Sequence, residues 1–194
     1  METVNDWALA IDAWVIQDGN YPDFRRGQRI EVAVEFYPPE PLTRTESGGR
    51  SAVGDGDGWY VIAGTVTSVL DRFWVVDCGI LVYGEHAPAD VTPGDGVQGR
   101  VLLSVDHYLY FENLARRPEM PELIYTWDLQ RIRRETAPFV LDTKRNVRVR
   151  DEARRGLVEI EATDAWSDDG GHAEYLFDCQ LIETPAKRTS STAR

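Results

Sequence analysis

Residues 59–83 read WYVIAGTVTSVLDRFWVVDCGILVY, an almost unbroken apolar run. Its first half, 59–70, is apolar on both sides and rich in β-branched residues, which is typical of a buried central strand. Gly64 within it predicts a bulge or a sharp bend. The turn at 70–72 then sends the chain back along 73–83, so the stretch predicts a hairpin at the centre of an antiparallel sheet.

The same period-two pattern continues on both sides of this hairpin. In RIEVAVEFY, 29–37, four apolar residues alternate with polar or small ones that include Ala33 and Glu35, which predicts a half-buried strand. Apolar residues also alternate in WALAIDAWVI, 7–16, and in VQGRVLLSVDHYLYF, 97–111. No window of 12 residues shows sustained helical periodicity. The chain is therefore predicted to be mostly β, with little helix.

Composition places the 194-residue chain among ordinary globular proteins. It is 42% hydrophobic and 28% charged, which argues against wholesale disorder. No stretch approaches the roughly 18 apolar residues of a membrane span, and the N-terminus has no basic leader. Two cysteines are too few for a disulfide scaffold. We expect a cytoplasmic protein without membrane association.

Two segments place a glycine-containing polar turn before a β-branched strand, FRRGQRIEVAVEFY at 24–37 and TPGDGVQGRVLLSVDHY at 92–108. With the 59–83 hairpin between them, residues 7–112 resemble small β-barrels of the OB and S1 type. The resemblance implies a small closed or partly open antiparallel barrel with a groove for nucleic acid or peptide on one face. The chain departs from such barrels in its acidic charge, and its barrel half lacks an obvious aromatic-plus-Arg stripe.

We therefore expect an OB-like barrel at 1–117, an additional C-terminal β-sheet unit at 118–184 packed on it, and a disordered polar tail at 185–194. Within the barrel, 38–58 is rich in Pro, Gly and Ser and has no periodicity, which predicts a long loop that is either functional or mobile. Whether the first two parts form one domain or two stays open at this point.

Acid–thiol pairs occur twice, at Asp77–Cys78 and at Asp178–Cys179. Both thiols fall on the apolar side of their predicted strands, where a free cysteine acts as a small hydrophobic residue. A reactive thiolate needs an electropositive, partly exposed site. Structural burial is therefore favoured over a disulfide or a metal site, and the two acids are expected at the surface or paired with arginine.

The three histidines, His86, His107 and His172, lack the short ligand spacings that announce a zinc site. Only His107 lies among apolar neighbours, and we interpret it as a core or barrel-end histidine bonded to backbone. Nucleophile elbows, phosphate-binding loops and dinucleotide fingerprints are absent from the sequence. We therefore predict no catalytic residue, no metal and no cofactor.

The formal net charge is −12, which repels phosphate backbones and attracts basic partners. Two acidic turns, GDGDGW at 54–59 and DAWSDDGG at 164–171, are candidate contacts for such a partner. An exposed tryptophan rimmed by carboxylates is a plausible anchor, although Trp166 is equally compatible with a place in the core. The predicted partner-binding residues are Asp55, Asp57, Trp166, Asp168 and Asp169.

One segment is basic, because residues 131–155 hold nine Lys or Arg against four Asp or Glu. With Trp127 and Phe139 available for stacking, it is a candidate nucleic-acid surface. Its predicted contacts are Arg131, Arg133, Arg145, Arg148 and Arg150. Alternation in NVRVR favours a simpler interpretation, in which the valines point inward and the arginines pair with Glu159 and Glu161 across the sheet.

Three functions follow as hypotheses. The first is a non-enzymatic acidic β-barrel that recognises a basic protein partner, as an immunity protein or antitoxin does. The second is a single-stranded nucleic-acid-binding protein that uses the basic segment. The third is a hydrolase or isomerase with a site of His and Asp residues in the barrel mouth. The sequence favours the first.

Overall fold

A computed structural model describes residues 6–185 of the chain. The strands are β1 (Asp6–Asp12), β2 (Arg29–Val32), β3 (Val34–Tyr37), β4 (Thr43–Thr45), β5 (Ser51–Gly54), β6 (Trp59–Leu70), β7 (Phe73–Asp77), β8 (Leu81–Gly84), β9 (Gly96–Val105), β10 (Tyr125–Glu135), β11 (Phe139–Asp142), β12 (Val147–Arg150), β13 (Leu157–Ile160) and β14 (Glu174–Glu183). The helical elements are short: α1 (Ala13–Gln17), a π-helical turn (Tyr110–Leu114) and two 3-10 turns (Glu152–Arg154 and Asp168–Gly171).

Five strands close into a barrel in the order β9, β3, β8, β7, β6 and back to β9. All of these pairings are antiparallel except the short parallel one between β3 and β8. The prediction of a mostly β protein with a closed barrel and additional strands is therefore confirmed. The resemblance to the OB type stays a prediction.

The run at 59–83 folds as two hairpins, whereas one was predicted. The first is the predicted one, with a tight turn between Leu70 and Phe73. The second reverses the chain at Cys78, Gly79 and Ile80, so 73–83 is not a single strand. Gly64 lies where β6 passes from β9 to β7, and a Cβ there would lie 2.3 Å from Val76 Cγ1. A side chain would force the two strands apart, which explains the glycine.

Five of the remaining strands, β1, β2, β10, β13 and β14, extend this sheet beyond the barrel. β14 pairs with one side of β10, while β2 and β13 pair with the other. β1 joins β14 to β9 of the barrel. Strands from both sides of the predicted division at 117/118 thus share one sheet. β11 and β12 form a separate two-stranded ladder, and all of the predicted tail except Pro185 lies outside the described residues.

Two predicted segments differ from the structure. The strand expected over 7–16 ends at Asp12, and α1 follows it and keeps Ala13, Val15 and Ile16 buried. The loop expected at 38–58 contains β4 and β5, which pair with β9 and β6. Its residues gain order from sheet neighbours far along the chain, which periodicity cannot reveal.

The buried side chains form two clusters, one on each side of the barrel wall. The larger fills the barrel and continues to β1, β10 and β14. The smaller lies outside the wall, where Ala33 and Tyr83 pack against the segment that follows β9. This segment covers the side of β3 that was predicted to be exposed, so Ala33 and Glu35 are both fully buried. The prediction of a half-buried strand at 29–37 is therefore wrong for β3.

Candidate functional site

The two thiols are structural, as predicted. Cys78 and Cys179 are free and fully buried. Burial raises the pKa of the Cys78 thiol to about 12 and also raises the pKa of Cys179. Asp77 lies 3.0 Å from Arg50, and Asp178 lies 2.8 Å from Arg131, so both acids pair with arginine as expected. Neither acid–thiol pair is a reactive site.

The predicted partner-binding acids are bonded within the chain. Asp55 lies 2.6 Å from Arg100, and Asp57 contacts two arginines at 3.7 and 3.9 Å. Asp168 pairs with Arg134 and accepts hydrogen bonds from the Tyr175 hydroxyl and the Asp164 amide, both at 3.0 Å. Asp169 pairs with an arginine of β12. These carboxylates are engaged before any partner arrives.

Most of the predicted nucleic-acid arginines are engaged as well. Arg131 and Arg133 both bind Asp178, and Arg145 lies 3.8 Å from Asp142. Arg150 is the most enclosed, with two carboxylates and two backbone carbonyls as acceptors and Phe139 beneath its guanidinium. We call the following residues the ion-pair belt: Asp57, Arg131, Arg133, Arg134, Glu135, Arg150, Arg155, Asp168, Asp169, Glu174 and Asp178.

Pairing of the basic segment was the favoured interpretation, but its details were wrong. Arg150 pairs with Asp169 and Glu174, whereas Glu159 and Glu161 bind Arg26. Val147, predicted to point inward, is 47% exposed. The reason is that β11 and β12 form a ladder of their own, so the alternation in β12 does not follow the main sheet. Trp127 is fully buried and cannot stack on a base.

A second group of polar residues lies on the outer side of β3. We call it the β3 cluster, and it comprises Glu35, Tyr37, Tyr83, Glu85, Asp106 and His107. Glu35 lies on β3, Glu85 directly follows β8, and His107 follows the end of β9. The barrel closure places these strands side by side, which brings together residues that are far apart in the sequence.

Within the β3 cluster, His107 Nδ1 lies 2.7 Å from Glu35 Oε2 and 3.1 Å from the Tyr37 hydroxyl. The Tyr83 hydroxyl donates to Asp106 Oδ1 and lies 3.2 Å from Glu35 Oε2. Glu35 and Asp106 are fully buried. Glu35 Oε1 and Asp106 Oδ2 have no hydrogen-bond donor anywhere in residues 6–185. A buried carboxylate oxygen without a donor is costly, so it requires an explanation.

The electrostatics of the β3 cluster follow from this crowding of negative groups. Burial raises the pKa of Asp106 to about 6, although hydrogen bonds from Tyr83 and from the Tyr110 amide oppose the shift. The hydrogen bond to Glu35 raises the pKa of His107 above its usual value. A histidine held in this way by a carboxylate is able to carry positive charge, to act as a base or to bind a metal ion.

Exposed aromatic residues surround this cluster. In the described part of the chain, three aromatic side chains expose more than two fifths of their surface, Tyr37 (41%), Trp14 (47%) and Trp166 (70%). The ring of Trp14 lies 5.8 Å from that of His107, which Tyr37 also contacts. Gln17, one turn after Trp14 on α1, donates to the carbonyls on both sides of the Trp166 loop, at 2.6 and 2.9 Å. We call these three exposed aromatic side chains, together with His107 and Gln17, the aromatic face.

A groove of about 650 Å³ adjoins the aromatic face. Its walls are aromatic and proline-rich, and two of its lining residues, Tyr37 and Glu85, belong to the β3 cluster. A second carboxylate, Glu40, also lines it. The lining includes Tyr37, Pro38, Pro39, Glu40, Trp74 and Glu85. A groove lined by apolar residues and carboxylates suits a lysine or arginine side chain. The apolar residues contact the hydrocarbon part of such a side chain, and the carboxylates attract its positive charge.

Sequence reasoning singled out His107 and Trp166. It interpreted His107 as a core or barrel-end histidine bonded to backbone, which is wrong, because the partners of its ring are the side chains of Glu35 and Tyr37. It missed Glu35, because alternation assigned it to the exposed side, and it had no reason to select Glu85 or Trp14. The β3 cluster lies on the outer wall of the barrel, and the hypothesis of a hydrolase or isomerase site in the barrel mouth stays a prediction. The signal available in the sequence was an acid next to a histidine, Asp106–His107, directly after a strong strand.

No helix in residues 6–185 is long and apolar enough to cross a membrane. Comparisons with protein-family models, with curated proteins and with solved structures found no match for this chain.

Proposed function

We propose that the protein is an acidic β-barrel binding module that recognises a basic protein partner through its aromatic face. The observation that carries the proposal is the exposure of Tyr37, Trp14 and Trp166. His107 contacts Tyr37 and Trp14, and Gln17 of the Trp14 helix bonds to the backbone of the Trp166 loop. Tryptophan and tyrosine are enriched among the few residues that contribute most of the binding energy in protein interfaces.

The charge of this surface suits a cationic partner. Four carboxylates lie in the β3 cluster and the groove, Glu35, Glu40, Glu85 and Asp106. Their ion pairs in the described residues are limited to His107 on Glu35 and Arg72 on Glu85. The partner's lysine or arginine side chains would place their stems against the aromatic and proline walls and their charges near Glu40 and Glu85, which line the groove, while Glu35 and Asp106 are fully buried.

The Trp166 loop is prepared for such a contact. The Asp23 carboxylate accepts a 2.9 Å hydrogen bond from the Ala165 amide, and Asp164 accepts one of 3.1 Å from the Ser167 amide. The loop around Trp166 is therefore fixed while its indole is exposed, so little conformational entropy is lost on binding. This role differs from the predicted one, because the tryptophan provides the contact and the acids beside it hold the loop.

The test is calorimetric titration with a nonameric oligo-lysine peptide, with a nonameric oligonucleotide for comparison. We expect the peptide to bind and its affinity to fall as salt is raised. Replacing Trp14 and Trp166 by alanine is expected to weaken peptide binding about tenfold or more, since loss of a hot spot costs about 2 kcal/mol. The matched control is Val53→Ala, because Val53 is 64% exposed on the edge strand β5.

None of these substitutions changes the net charge, so non-specific attraction to the −12 protein is the same in every variant. The proposal would be contradicted if the peptide bound the tryptophan variants with the same affinity as the wild type. It would also be contradicted if the oligonucleotide bound more strongly than the peptide, and this result would favour the basic segment instead. We do not expect that outcome, because Arg150 already donates to four acceptors and Trp127 is buried, so neither is accessible to a nucleotide.

A further inference from the structure

The β3 cluster contains three side chains with the spacing of metal ligands. One ligand atom each from Glu35, Glu85 and His107 lies within 4.8 Å of the others, and His107 Nδ1 is 2.7 Å from Glu35 Oε2. Around an octahedral ion with bonds of about 2.1 Å, adjacent ligand atoms lie about 3 Å apart and opposite ones about 4 Å apart. The three side chains are therefore within reach of a single ion.

A second observation points to a ligand at the same place. Glu35 is fully buried, yet its Oε1 atom has no donor among residues 6–185. The cost of desolvating a carboxylate oxygen is recovered only when a donor or a cation replaces the lost water. In the metal-free protein His107 Nδ1 contacts Oε2, and Oε1 has no donor in the described residues. A cation held between the three residues would replace the imidazole proton and compensate the buried carboxylate.

The surroundings also suit a metal ion. The Tyr83 hydroxyl bridges Glu35 and Asp106, which is how an outer shell fixes the orientation of a ligating carboxylate. Glu85 is partly exposed, so an ion has a route from solvent. Two carboxylates balance the charge of a divalent cation, and open positions remain for water.

We propose that Glu35, Glu85 and His107 form a binding site for a divalent first-row transition ion, Zn²⁺ or Mn²⁺. An imidazole ligand favours Zn²⁺, the carboxylates are shared by both ions, and Mg²⁺ prefers oxygen ligands alone. The site shares Glu35 and Glu85 with the carboxylates proposed to attract the partner, but ion binding is measured on the protein alone, so its failure is distinguishable from a failure of peptide binding. It also gives Glu85 a role beyond its 3.2 Å ion pair with Arg72.

The experiment is calorimetric titration of EDTA-treated full-length protein with ZnCl₂, MnCl₂ and MgCl₂ at neutral pH. We expect one Zn²⁺ or Mn²⁺ per chain, with weaker binding of Mg²⁺. His107→Gln and Glu85→Gln are each expected to lower the affinity at least tenfold and to abolish the rise in melting temperature on adding the ion. His172→Gln is the matched control, because His172 is exposed and outside the cluster.

Both test positions are partly exposed, and the folded state of each variant is checked by far-ultraviolet circular dichroism. The absence of saturable binding by wild-type protein would overturn the proposal. So would binding that survives both His107→Gln and Glu85→Gln, or that is lost in His172→Gln. Equal affinity for Mg²⁺ would overturn the assignment to a transition ion. The buried thiols do not compete for the metal, because they are inaccessible.

Discussion

The ion-pair belt and the β3 cluster are both built around carboxylates, but their charges are balanced in different ways. In the belt, five arginines face six carboxylates. Asp168, for example, accepts from three partners, Arg134, the Asp164 amide and the Tyr175 hydroxyl. In the β3 cluster, the partners of two fully buried carboxylates are one histidine, one tyrosine hydroxyl and the Tyr110 amide, and each carboxylate keeps an oxygen without a donor in the described residues.

This difference teaches where to look for function in a highly charged protein. The belt contains most of the charged residues that attract attention in the sequence, yet each of its charged groups has an oppositely charged partner, and Arg133 Nε is its one buried atom without a hydrogen-bond partner in the described residues. The β3 cluster contains fewer charges but leaves them incompletely compensated. Incomplete compensation in a buried place is a stronger pointer to a ligand than a high density of charge.

The largest expected effect comes from breaking the belt at its most enclosed arginine. The Arg150 side chain is 9% exposed and serves two carboxylates and two carbonyls. Arg150→Ala is expected to lower the free energy of unfolding by about 3 kcal/mol, because it removes an enclosed guanidinium that donates to two carboxylates and two carbonyls and packs on Phe139. Arg148→Ala, two residues away on the same strand but exposed, is expected to change it by less than about 0.5 kcal/mol.

Urea denaturation of both arginine variants measures the two effects. Similar losses at the two positions would mean that the belt is a solvated surface, and the contrast with the β3 cluster would then disappear.

A smaller effect distinguishes a satisfied carboxylate from an unsatisfied one. Asp168→Asn is expected to cost about 2 kcal/mol of unfolding free energy, because it weakens charge-assisted bonds to Arg134 and Tyr175. Asp106→Asn keeps the acceptor used by Tyr83 and removes a charge beside Glu35. We expect the metal-free Asp106 variant to be as stable as the wild type or more stable by about 1 kcal/mol.

Thermal and urea unfolding of the two asparagine variants are the measurements. If Asp106→Asn lowered the free energy of unfolding as much as Asp168→Asn does, the β3 cluster would be a satisfied structural network. Its unpaired oxygens would then not indicate a ligand.

The smallest effect concerns pH. Burial alone would raise the pKa of Glu135, but hydrogen bonds from the Ala137 amide, Arg155 and the Gly156 amide outweigh it and lower the pKa below its usual 4.5. A folded-state pKa below the unfolded one contributes stability above pH 4.5, and this contribution is lost as the pH falls through the folded value. In Glu135→Gln, the free energy of unfolding is therefore expected to fall less steeply than in the wild type as the pH is lowered below 4.5.

Unfolding free energies between pH 3 and pH 7 test this, with Glu161→Gln as control because its side chain is 80% exposed. If the free energy of unfolding fell with pH equally in the wild type and in Glu135→Gln, the belt would not be holding this carboxylate in its ionised form.

The strands of the barrel were the most predictable part of the molecule. Period-two alternation and the turn at 70–72 identified β6, β7 and β9, since these patterns depend on neighbours within a few residues. β4 and β5 were not predictable, because short polar strands form only when β9 and β6 offer them edges. The change from β1 to α1 was hidden, since Ala13 and Val15 fit both periods.

The candidate site was less predictable than the fold. Burial of Glu35 depends on the segment after β9 folding over the outer wall, and the approach of Glu85 and His107 depends on barrel closure. Both are long-range events that no local pattern records. The pairing of Arg150 with Asp169 was likewise beyond a strand-by-strand reading, because β11 and β12 leave the main sheet.

The most direct test of whether the partner contacts the aromatic face or the ion-pair belt is an NMR titration of ¹⁵N-labelled protein with the nonameric oligo-lysine peptide. We predict that the indole resonances of Trp14 and Trp166 shift while those of the buried Trp7 and Trp127 do not, and that the Arg133 and Arg150 side-chain resonances stay in place. Shifts confined to the ion-pair belt, with Trp14 and Trp166 unmoved, would contradict the account.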